Sequence, residues 1–144
     1  MTTIACYLGI DVGTQGLTAL LVTVEESTSS SSPSPKQSSL TIVAMGEGSY
    51  GFVPDLPEGC YEQDPRHWET ALAKALVSIS ENLDSSGTKV EIEALCVTGQ
   101  MHGCVMIDND GKSLGNARLW CDARNQEEVG LFVRLLLYVI YFRQ

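Results

Sequence analysis

A glycine-containing turn between two apolar runs constrains the fold of this 144-residue chain most strongly. The runs cover residues 5–10 and 17–24 and are rich in Leu, Ile and Val, and the turn between them contains Asp11 and Gly13. Two such runs joined by a short turn predict a tight β-hairpin rather than a strand followed by a helix. Glycine lets backbone N–H groups approach an anion, and Mg²⁺ accepts carboxylate ligands. The turn therefore fits either an ordinary hairpin or a site for phosphate and metal.

A second glycine-flanked polar cluster follows another predicted strand. The strand is predicted at residues 92–97, and the pentapeptide Gly-Gln-Met-His-Gly follows it at residues 99–103. A further strand is predicted at 104–108, and the turn sequence of residues 108–111 leads from it into 112–114 as a hairpin. Two strand ends therefore present polar groups between glycines.

A low-complexity stretch separates the second predicted strand from the third. Residues 25–39 are dominated by Ser and Pro and offer almost no apolar surface, which predicts a flexible loop. The third strand is predicted at 40–45, and the Gly- and Pro-rich segment 46–63 is predicted to be irregular. An antiparallel hairpin tolerates an insertion there because the ends of the loop stay close.

An amphipathic helix is predicted to begin at Pro65, with Asp64 as its N-cap, and to run to about Leu83. Its apolar residues recur at spacings of three and four, which predicts one buried stripe, whereas His67 lies outside the stripe and is predicted at the surface. The stripe contains Trp68, Ala71, Leu72, Ala75, Leu76, Ile79 and Leu83.

Charge and cysteine content exclude several classes of protein. The net charge is −9 and the nine Lys and Arg residues are scattered, so no basic patch exists for nucleic acid. The first residues lack the charged and long apolar regions of a secretory signal. Five cysteines without a Cys-x-x-Cys pair fit reduced thiols in the cytoplasm, and Cys96 and Cys104 are predicted to be core residues.

Residues 130–144 form an apolar tail. Apart from Arg134 and the final two residues the segment is apolar all round, and it is shorter than the roughly 20 residues that a membrane span requires. We therefore expect no membrane insertion. The tail is expected to be foreign to the preceding domain, with a surface that promotes self-association as the alternative.

Four stretches resemble the FGGY carbohydrate kinases of the actin-like ATPase superfamily, and most closely their xylulokinase branch, with sedoheptulokinase-like enzymes second. They lie in the family's order at residues 9–14, 61–65 with Trp68, 98–103 and 119–124. The resemblance implies an α/β fold, an actin-like and ribonuclease H-like domain with a mixed sheet. It covers roughly residues 7–129, and it implies that residues 1–129 are a partial amino-terminal domain with the insertion 25–39.

The resemblance also implies a reaction, in which the γ-phosphoryl group of ATP, bound with Mg²⁺, is transferred to a primary hydroxyl of D-xylulose or a similar ketose. Asp11 would be the metal ligand and catalytic carboxylate, and the turn after it would contact phosphate through Gly13, Thr14 and Gln15. The ketose would be held by Gln100, Met101, His102, Asp122 and Arg124.

Plainer roles stand beside these. His102 can make a structural hydrogen bond, Trp120 can be a core residue, and Asp122 can form a simple ion pair with Arg124. If their segment is extended, Trp120, Asp122 and Arg124 alternate onto one face.

Members of the resembled family are roughly three times longer, at about 150 residues per domain with insertions, and their proton-accepting aspartate lies beyond residue 144. We therefore expect no kinase activity from this chain alone, and the alternative is a non-catalytic module that binds sugar or a protein partner. No Walker-type phosphate loop and no Gly-x-Ser-x-Gly nucleophile motif occurs in the sequence.

Overall fold

The structure, a computed structural model, describes the backbone of residues 3–26 and 38–142 and the side-chain exposure of residues 3–25 and 38–135. Most of the predicted serine-rich loop, residues 27–37, lies outside the described residues. The elements in chain order are β1 (Thr3–Val12), β2 (Gly16–Glu26), β3 (Ser38–Ser49), β4 (Glu62–Gln63), α1 (Pro65–Ser86), β5 (Lys89–Gly99), β6 (Ala117–Arg118) and α2 (Gln126–Phe142).

The chain forms two compact units. Unit 1 consists of Met1–Gly51 and Arg66–Gln100, and unit 2 consists of Phe52–Pro65 and Met101–Gln144. Unit 1 contains a four-stranded sheet in the order β3-β2-β1-β5, in which β1 pairs antiparallel with β2 and parallel with β5. This mixed sheet with its helix confirms the predicted α/β fold class.

The hairpin predicted from the first two apolar runs is confirmed. Its strands pair from Tyr7 with Val22 to Val12 with Leu17, so only residues 13–15 remain between β1 and β2. The flanking strand bounds differ from the prediction, because residues 25, 26, 38 and 39 of the predicted loop belong to β2 and β3.

The prediction that residues 46–49 are irregular is wrong, because β3 continues through them to Ser49. Gly46 and Gly48 lie where α1 crosses the strand. An added Cβ would stand 2.0 Å from the Ala75 carbonyl oxygen at Gly46 and 2.4 Å from that of Ala71 at Gly48. These glycines therefore permit close contact between helix and sheet, a role that glycine has in strands as well as in loops.

Helix α1 begins at Pro65 as predicted and ends three residues later than predicted, at Ser86. Its end is a Schellman motif: the Thr88 amide donates to the Leu83 carbonyl at 3.0 Å, and the Gly87 amide donates to the Asp84 carbonyl at 3.1 Å. Gly87 has a φ of 66°, in the left-handed region that favours glycine.

The core of unit 1 lies between α1 and one face of β1, β2 and β3. Leu76, predicted in the apolar stripe, is 39% exposed, so the buried stripe is narrower than predicted, whereas His67 is exposed as predicted. The buried residues are Cys6, Leu8, Ile10, Leu17, Ala19, Leu21, Ala44, Ala71, Ala75 and Ile79.

The core leaves most of β5 uncovered. Leu95 and Val97 are 58% and 57% exposed, although they pair with the buried Leu8 and Ile10 of β1. Cys96 is also exposed, which corrects its predicted place in the core. A strand pattern predicts which faces alternate, but whether a helix covers a given strand depends on the tertiary structure.

Unit 2 contains a two-stranded sheet of β4 and β6, which pair antiparallel. The strand predicted at 104–108 does not form, and the segment makes only single bridges, Cys104 to Arg118 and Ile107 to Ser113. The predicted turn at its end is present, with the Asp108 amide donating to the Lys112 carbonyl at 2.9 Å. Cys104 is exposed, so its prediction as a core residue is wrong as well.

Helix α2 runs without a break through Gly130, the first residue of the predicted tail. Its apolar side chains from Val129 to Leu135 are exposed. Among the helices traced in residues 3–26 and 38–142, none is long and apolar enough to cross a membrane.

The contact between β3 and α1 can be tested by adding a single methyl group. We predict that Gly48→Ala lowers the free energy of unfolding by about 1–3 kcal/mol, because the new Cβ meets helix backbone that must move. Gly51→Ala is the matched control, since nothing lies within 4 Å of its added Cβ, and its effect should stay within about 0.5 kcal/mol. Urea denaturation measures both, and equal effects of the two substitutions would contradict the packing described here.

Candidate functional site

Asp11 lies near the end of β1, on the sheet face that α1 does not cover. Its neighbours Ile10 and Val12 point to the other face, where Ile10 is buried in the core, whereas Asp11 is exposed. Asp11 pairs across the sheet with Thr18 of β2 and Thr98 of β5, so one carboxylate stands between two threonines. The sheet alternation thus delivers a charged and two hydroxyl groups to one open surface.

A cavity of about 410 Å³ opens on this face. It is lined by Gly9, Ile10, Asp11, Thr18, Leu20, Cys96 and Thr98. No group of three or more His, Cys, Asp or Glu residues that could hold a metal occurs in the part of the chain that the structure describes. Mg²⁺ is commonly bound through one or two carboxylates and keeps several waters, so a single carboxylate is compatible with such an ion.

The turn after Asp11 is closed by its own backbone. The Gly13 amide donates to the Gly16 carbonyl at 2.9 Å, so this amide is used within the turn. The phenol of Tyr50 reaches the same turn and donates to the Gly13 carbonyl at 2.6 Å and to the Gly16 carbonyl at 3.0 Å. No short-range pattern in the sequence indicates this role for Tyr50, because its partners lie 34 and 37 residues away along the chain.

The predicted sugar-binding residues are divided between the units. Gln100 is the last residue of unit 1, where its backbone amide donates to the Val12 carbonyl at 2.9 Å. His102, Asp122 and Arg124 belong to unit 2 and line one cavity of about 290 Å³ there. Met101 is 72% exposed and is not among the lining residues. The complete lining is His102, Cys104, Arg118, Leu119, Trp120, Asp122, Arg124 and Asn125.

His102 has an unusual backbone conformation. Its φ is 61°, and Asp55, at 59°, is the other non-glycine residue with positive φ in the described ranges. A positive φ is uncommon in residues other than glycine and is worth examining for function, although His and Asp adopt it more readily than most residues. Here the turn brings His102 into the lining of the cavity.

Asp122, Arg124 and Glu62 form the charged network of this cavity. The Arg124 guanidinium donates from Nε to Asp122 Oδ1 at 2.8 Å and from one terminal nitrogen to both Asp122 Oδ2 and Glu62 Oε1 at 2.7 Å. The Tyr61 amide donates to Asp122 Oδ2 at 2.8 Å, and Asn116 Nδ2 donates to Glu62 Oε2 at 2.9 Å. The ion pair considered from sequence is therefore present, and Glu62 extends it.

These contacts shift the acid–base equilibria of the network. Hydrogen bonding by Arg124 lowers the pKa of Asp122 to about 2, and the Tyr61 amide acts in the same direction. The hydrogen bond from Asn116, followed by that from Arg124, lowers the pKa of Glu62. Hydrogen bonds to Asp122 and Glu62 raise the pKa of Arg124. All three groups are charged at neutral pH. Because the positive charge of Arg124 is shared by the carboxylates of Asp122 and Glu62, this part of the cavity wall is polar without a strong positive charge.

The extended segment that would make Trp120, Asp122 and Arg124 alternate onto one face is not present. The chain turns after Leu119, where the Asp122 amide donates to the Leu119 carbonyl at 3.0 Å. All three side chains nevertheless line the same cavity, because the turn gathers them. Trp120 is 59% exposed, so it is not a core residue; the buried neighbour is Leu119.

Glu62, Asn116, Arg118 and Cys104 were not predicted as site residues. Glu62 lies in the Glu-Gln-Asp-Pro stretch at residues 62–65, and this motif is the feature of the sequence that could have indicated its place in the site. Arg118 and Cys104 are brought to the cavity by their antiparallel bridge, a pairing that short-range sequence patterns do not reveal.

Comparison with known proteins shows the fold and the family to which this chain belongs. The mixed sheet and the strand-turn-strand motif at Asp11 are those of an actin-like, ribonuclease H-like α/β domain, and this fold is shared with solved sugar kinases. A family model described as the N-terminal domain of the FGGY family of carbohydrate kinases matches residues 6–136. This chain belongs to that family. The match continues past residue 129 into the predicted tail.

Three relatives illustrate the similarity. A xylulose kinase from Haemophilus influenzae is 26% identical over 132 residues, which cover 90% of this chain and 24% of that protein. The solved xylulose kinase of Rhodospirillum rubrum has a TM-score of 0.71 at 23% identity, over 90% of this chain and 23% of that one. Plasmodium falciparum glycerol kinase, solved with ADP, has a TM-score of 0.67 at 24% identity, over 90% and 23% of the two chains. This chain thus spans about a quarter of the length of the curated relative.

The ion network makes a prediction about pH. Because the folded pKa of Asp122 lies below its ordinary value of 3.8, its stabilising contribution is present above about pH 4 and is lost as the pH falls toward 2. Asp122→Asn should therefore destabilise unit 2 at neutral pH and flatten the loss of its stability between pH 5 and about 2.5. Urea titrations followed by the NMR signals of unit 2 measure both effects.

Asp110→Asn serves as the control, since it removes an exposed carboxylate of the same unit outside the network. An Asp122→Asn profile with the same acid slope as the control would contradict the coupling of Asp122 to Arg124.

Proposed function

We propose that this chain is the amino-terminal part of an ATP-dependent ketose kinase, which transfers the γ-phosphoryl group of ATP to a primary hydroxyl of D-xylulose or a similar ketose. Membership of the FGGY family supports the reaction class. The recurrence of xylulose kinases among the relatives supports a pentulose substrate, with sedoheptulose as the second choice. The family domain was expected to cover residues 1–129; because the family model matches residues 6–136, the proposed domain extends to residue 136 and only the rest of the tail is set apart from it.

The observation that carries the proposal is the cavity of unit 2, where His102, Asp122 and Arg124 come together. His102 lies in one motif, 20 positions from Asp122 and 22 from Arg124 in the other, and the fold gathers the three residues around a space of sugar size. A neutral imidazole can donate one hydrogen bond and accept another, which suits neighbouring hydroxyl groups of a polyol. Gln100 and Met101 are retained as sugar-binding candidates on the grounds of their motif alone.

The proposed role of Asp11 is to hold the metal that accompanies the phosphates. When bound, Mg²⁺ would neutralise charge on the phosphate oxygens, and the single carboxylate with its two threonine neighbours fits an ion that keeps much of its water. Thr14 and Gln15 would contact phosphate, whereas Gly13 would serve the shape of the turn because its amide is already donated to Gly16.

Positioning and charge stabilisation account for most of the catalysis in phosphoryl transfer. In the proposed reaction the residues of unit 2 orient the ketose, and Asp11 fixes the phosphate end. A carboxylate that holds the metal cannot at the same time accept the proton of the attacking hydroxyl. The proton acceptor is therefore proposed to be a separate group, and the 144-residue chain is expected to bind both substrates without turning them over.

The five cysteines are all thiols in the structure, which fits a reducing compartment, and we propose a cytoplasmic location where ATP is available.

Nucleotide binding tests the role of Asp11. We predict that MgADP binds to the chain and shifts the NMR signals of residues 11–16, and that Asp11→Asn weakens this binding roughly tenfold through loss of a charged ligand. Asp55→Asn is the control, because it makes the same change in an exposed loop of unit 2. Binding of MgADP that both variants leave unchanged would remove Asp11 from the phosphate site.

Sugar binding tests the cavity of unit 2. We predict that D-xylulose binds in calorimetric titration and that His102→Gly weakens it roughly tenfold, because glycine accepts the left-handed backbone but provides no imidazole. Asp55→Gly is a matched control, since Asp55 has the same backbone conformation outside the cavity. Titration with sedoheptulose under the same conditions ranks the two ketoses. Equal loss of affinity in both variants would show that the change of backbone to glycine, and not the loss of the imidazole, weakens sugar binding.

A further inference from the structure

Tyr50 connects the end of β3 to the turn between β1 and β2. It follows Ser49, the last residue of β3, and its half-buried ring carries the hydroxyl into the turn. The oxygen stands 2.6 Å from the Gly13 carbonyl oxygen and 3.0 Å from that of Gly16. The Tyr50 backbone amide also points to this turn and donates to the Gln15 carbonyl at 3.4 Å.

The hydroxyl resolves an electrostatic problem within the turn. The carbonyl oxygens of Gly13 and Gly16 converge on one point, and the Gly16 oxygen already accepts the Gly13 amide proton. Two oxygens with partial negative charge repel each other unless a proton lies between them. The phenol supplies that proton as a three-centre donor to the two carbonyl oxygens.

We propose that Tyr50 is a positioning residue, whose hydroxyl proton holds the backbone of residues 13–16 in the single conformation that the phosphate site uses. The phosphate consequence rests on the proposed function, whereas the effect on the turn does not. The hydroxyl acts on the backbone and not on the phosphate, so it lowers the cost of ordering the turn when an anion arrives.

The surroundings of Tyr50 keep its proton in place. Burial, and secondly the negative charge of Asp11, raise the pKa of the phenol above its ordinary value. The group therefore remains a donor across the physiological pH range. The influence of Asp11 also indicates that the hydroxyl and the proposed metal ligand belong to the same small region of unit 1.

Tyr50→Phe removes only the hydroxyl and tests the proposal in the full chain. We expect the Gly13 amide to exchange with solvent roughly tenfold faster in this variant, because its acceptor loses the contact that orders it. MgADP affinity should fall by a similar factor while the thermal midpoint of unit 1 changes little. Tyr7→Phe is the matched control: Tyr7 lies on β1, and its hydroxyl bonds to Glu93 at 3.2 Å on the exposed surface.

The outcomes separate the two proposals. Faster exchange and weaker MgADP binding in Tyr50→Phe, with neither in Tyr7→Phe, support both. Unchanged exchange at Gly13 in Tyr50→Phe overturns the positioning role whatever happens to nucleotide binding. Faster exchange in a chain whose wild type does not bind MgADP supports the hold on the turn and overturns the proposed phosphate site.

A measurement on the unmodified chain covers the case in which Tyr50→Phe does not fold. With tyrosine labelled at Cζ in mixed light and heavy water, a slowly exchanging hydroxyl proton splits the carbon signal by an isotope shift. We expect two resolved signals for Tyr50 and one averaged signal for the exposed Tyr7. One averaged signal for Tyr50 would overturn the proposal.

Discussion

Contact between α1 and the sheet of unit 1 depends on the absence of two side chains in β3. At Gly46 and Gly48 the helix backbone of Ala75 and Ala71 lies where a Cβ would otherwise stand. The alanines are small enough to be fully buried there. This contact fixes which face of the sheet becomes the core, and strand alternation then places Asp11, Thr18 and Thr98 on the opposite face. The exposure of Asp11, the proposed metal ligand, thus follows from the packing on the other side of the sheet.

In unit 2 the corresponding organiser is Arg124. Its guanidinium joins Asp122, in the turn before α2, to Glu62 in β4. A bidentate contact with one carboxylate and a single contact with a second require the planar fork of arginine, which lysine cannot reproduce. The side chain of Asp122 is only 6% exposed, so the stability of its negative charge depends on Arg124 and on the Tyr61 backbone amide. The network fixes Asp122 and Arg124 in the wall of the cavity that His102 also lines.

Local patterns predicted the parts of the fold that are determined locally. The hairpin at residues 5–24 and the helix beginning at Pro65 follow from apolar periodicity and from turn and capping residues, which act over a few positions. The segment that contains Gly46 and Gly48 was wrongly predicted to be irregular, because these glycines serve a contact with a helix that begins 19 and 17 residues later. The burial of Cys96 was predicted wrongly for a related reason, since the coverage of a strand is decided by distant elements.

The candidate site divides in the same way. The motifs pointed to His102, Asp122 and Arg124, and the structure gathers these three around one cavity. Asp122 and Arg124 would share a face by alternation only in an extended segment, whereas the chain turns at Leu119 and brings them together in a different way. Tyr50 could not be found from the sequence, because its partners lie in another hairpin and its own neighbours form no motif.

A crystal structure of the chain soaked with D-xylulose tests the central claim most directly, because it shows where the sugar lies without relying on a variant. Density for the ketose is expected in the cavity of unit 2, with its hydroxyl groups within hydrogen-bond distance of His102 and of the Asp122–Arg124 pair. Sugar bound elsewhere on the chain, or an empty cavity at a concentration that saturates binding in solution, would contradict it.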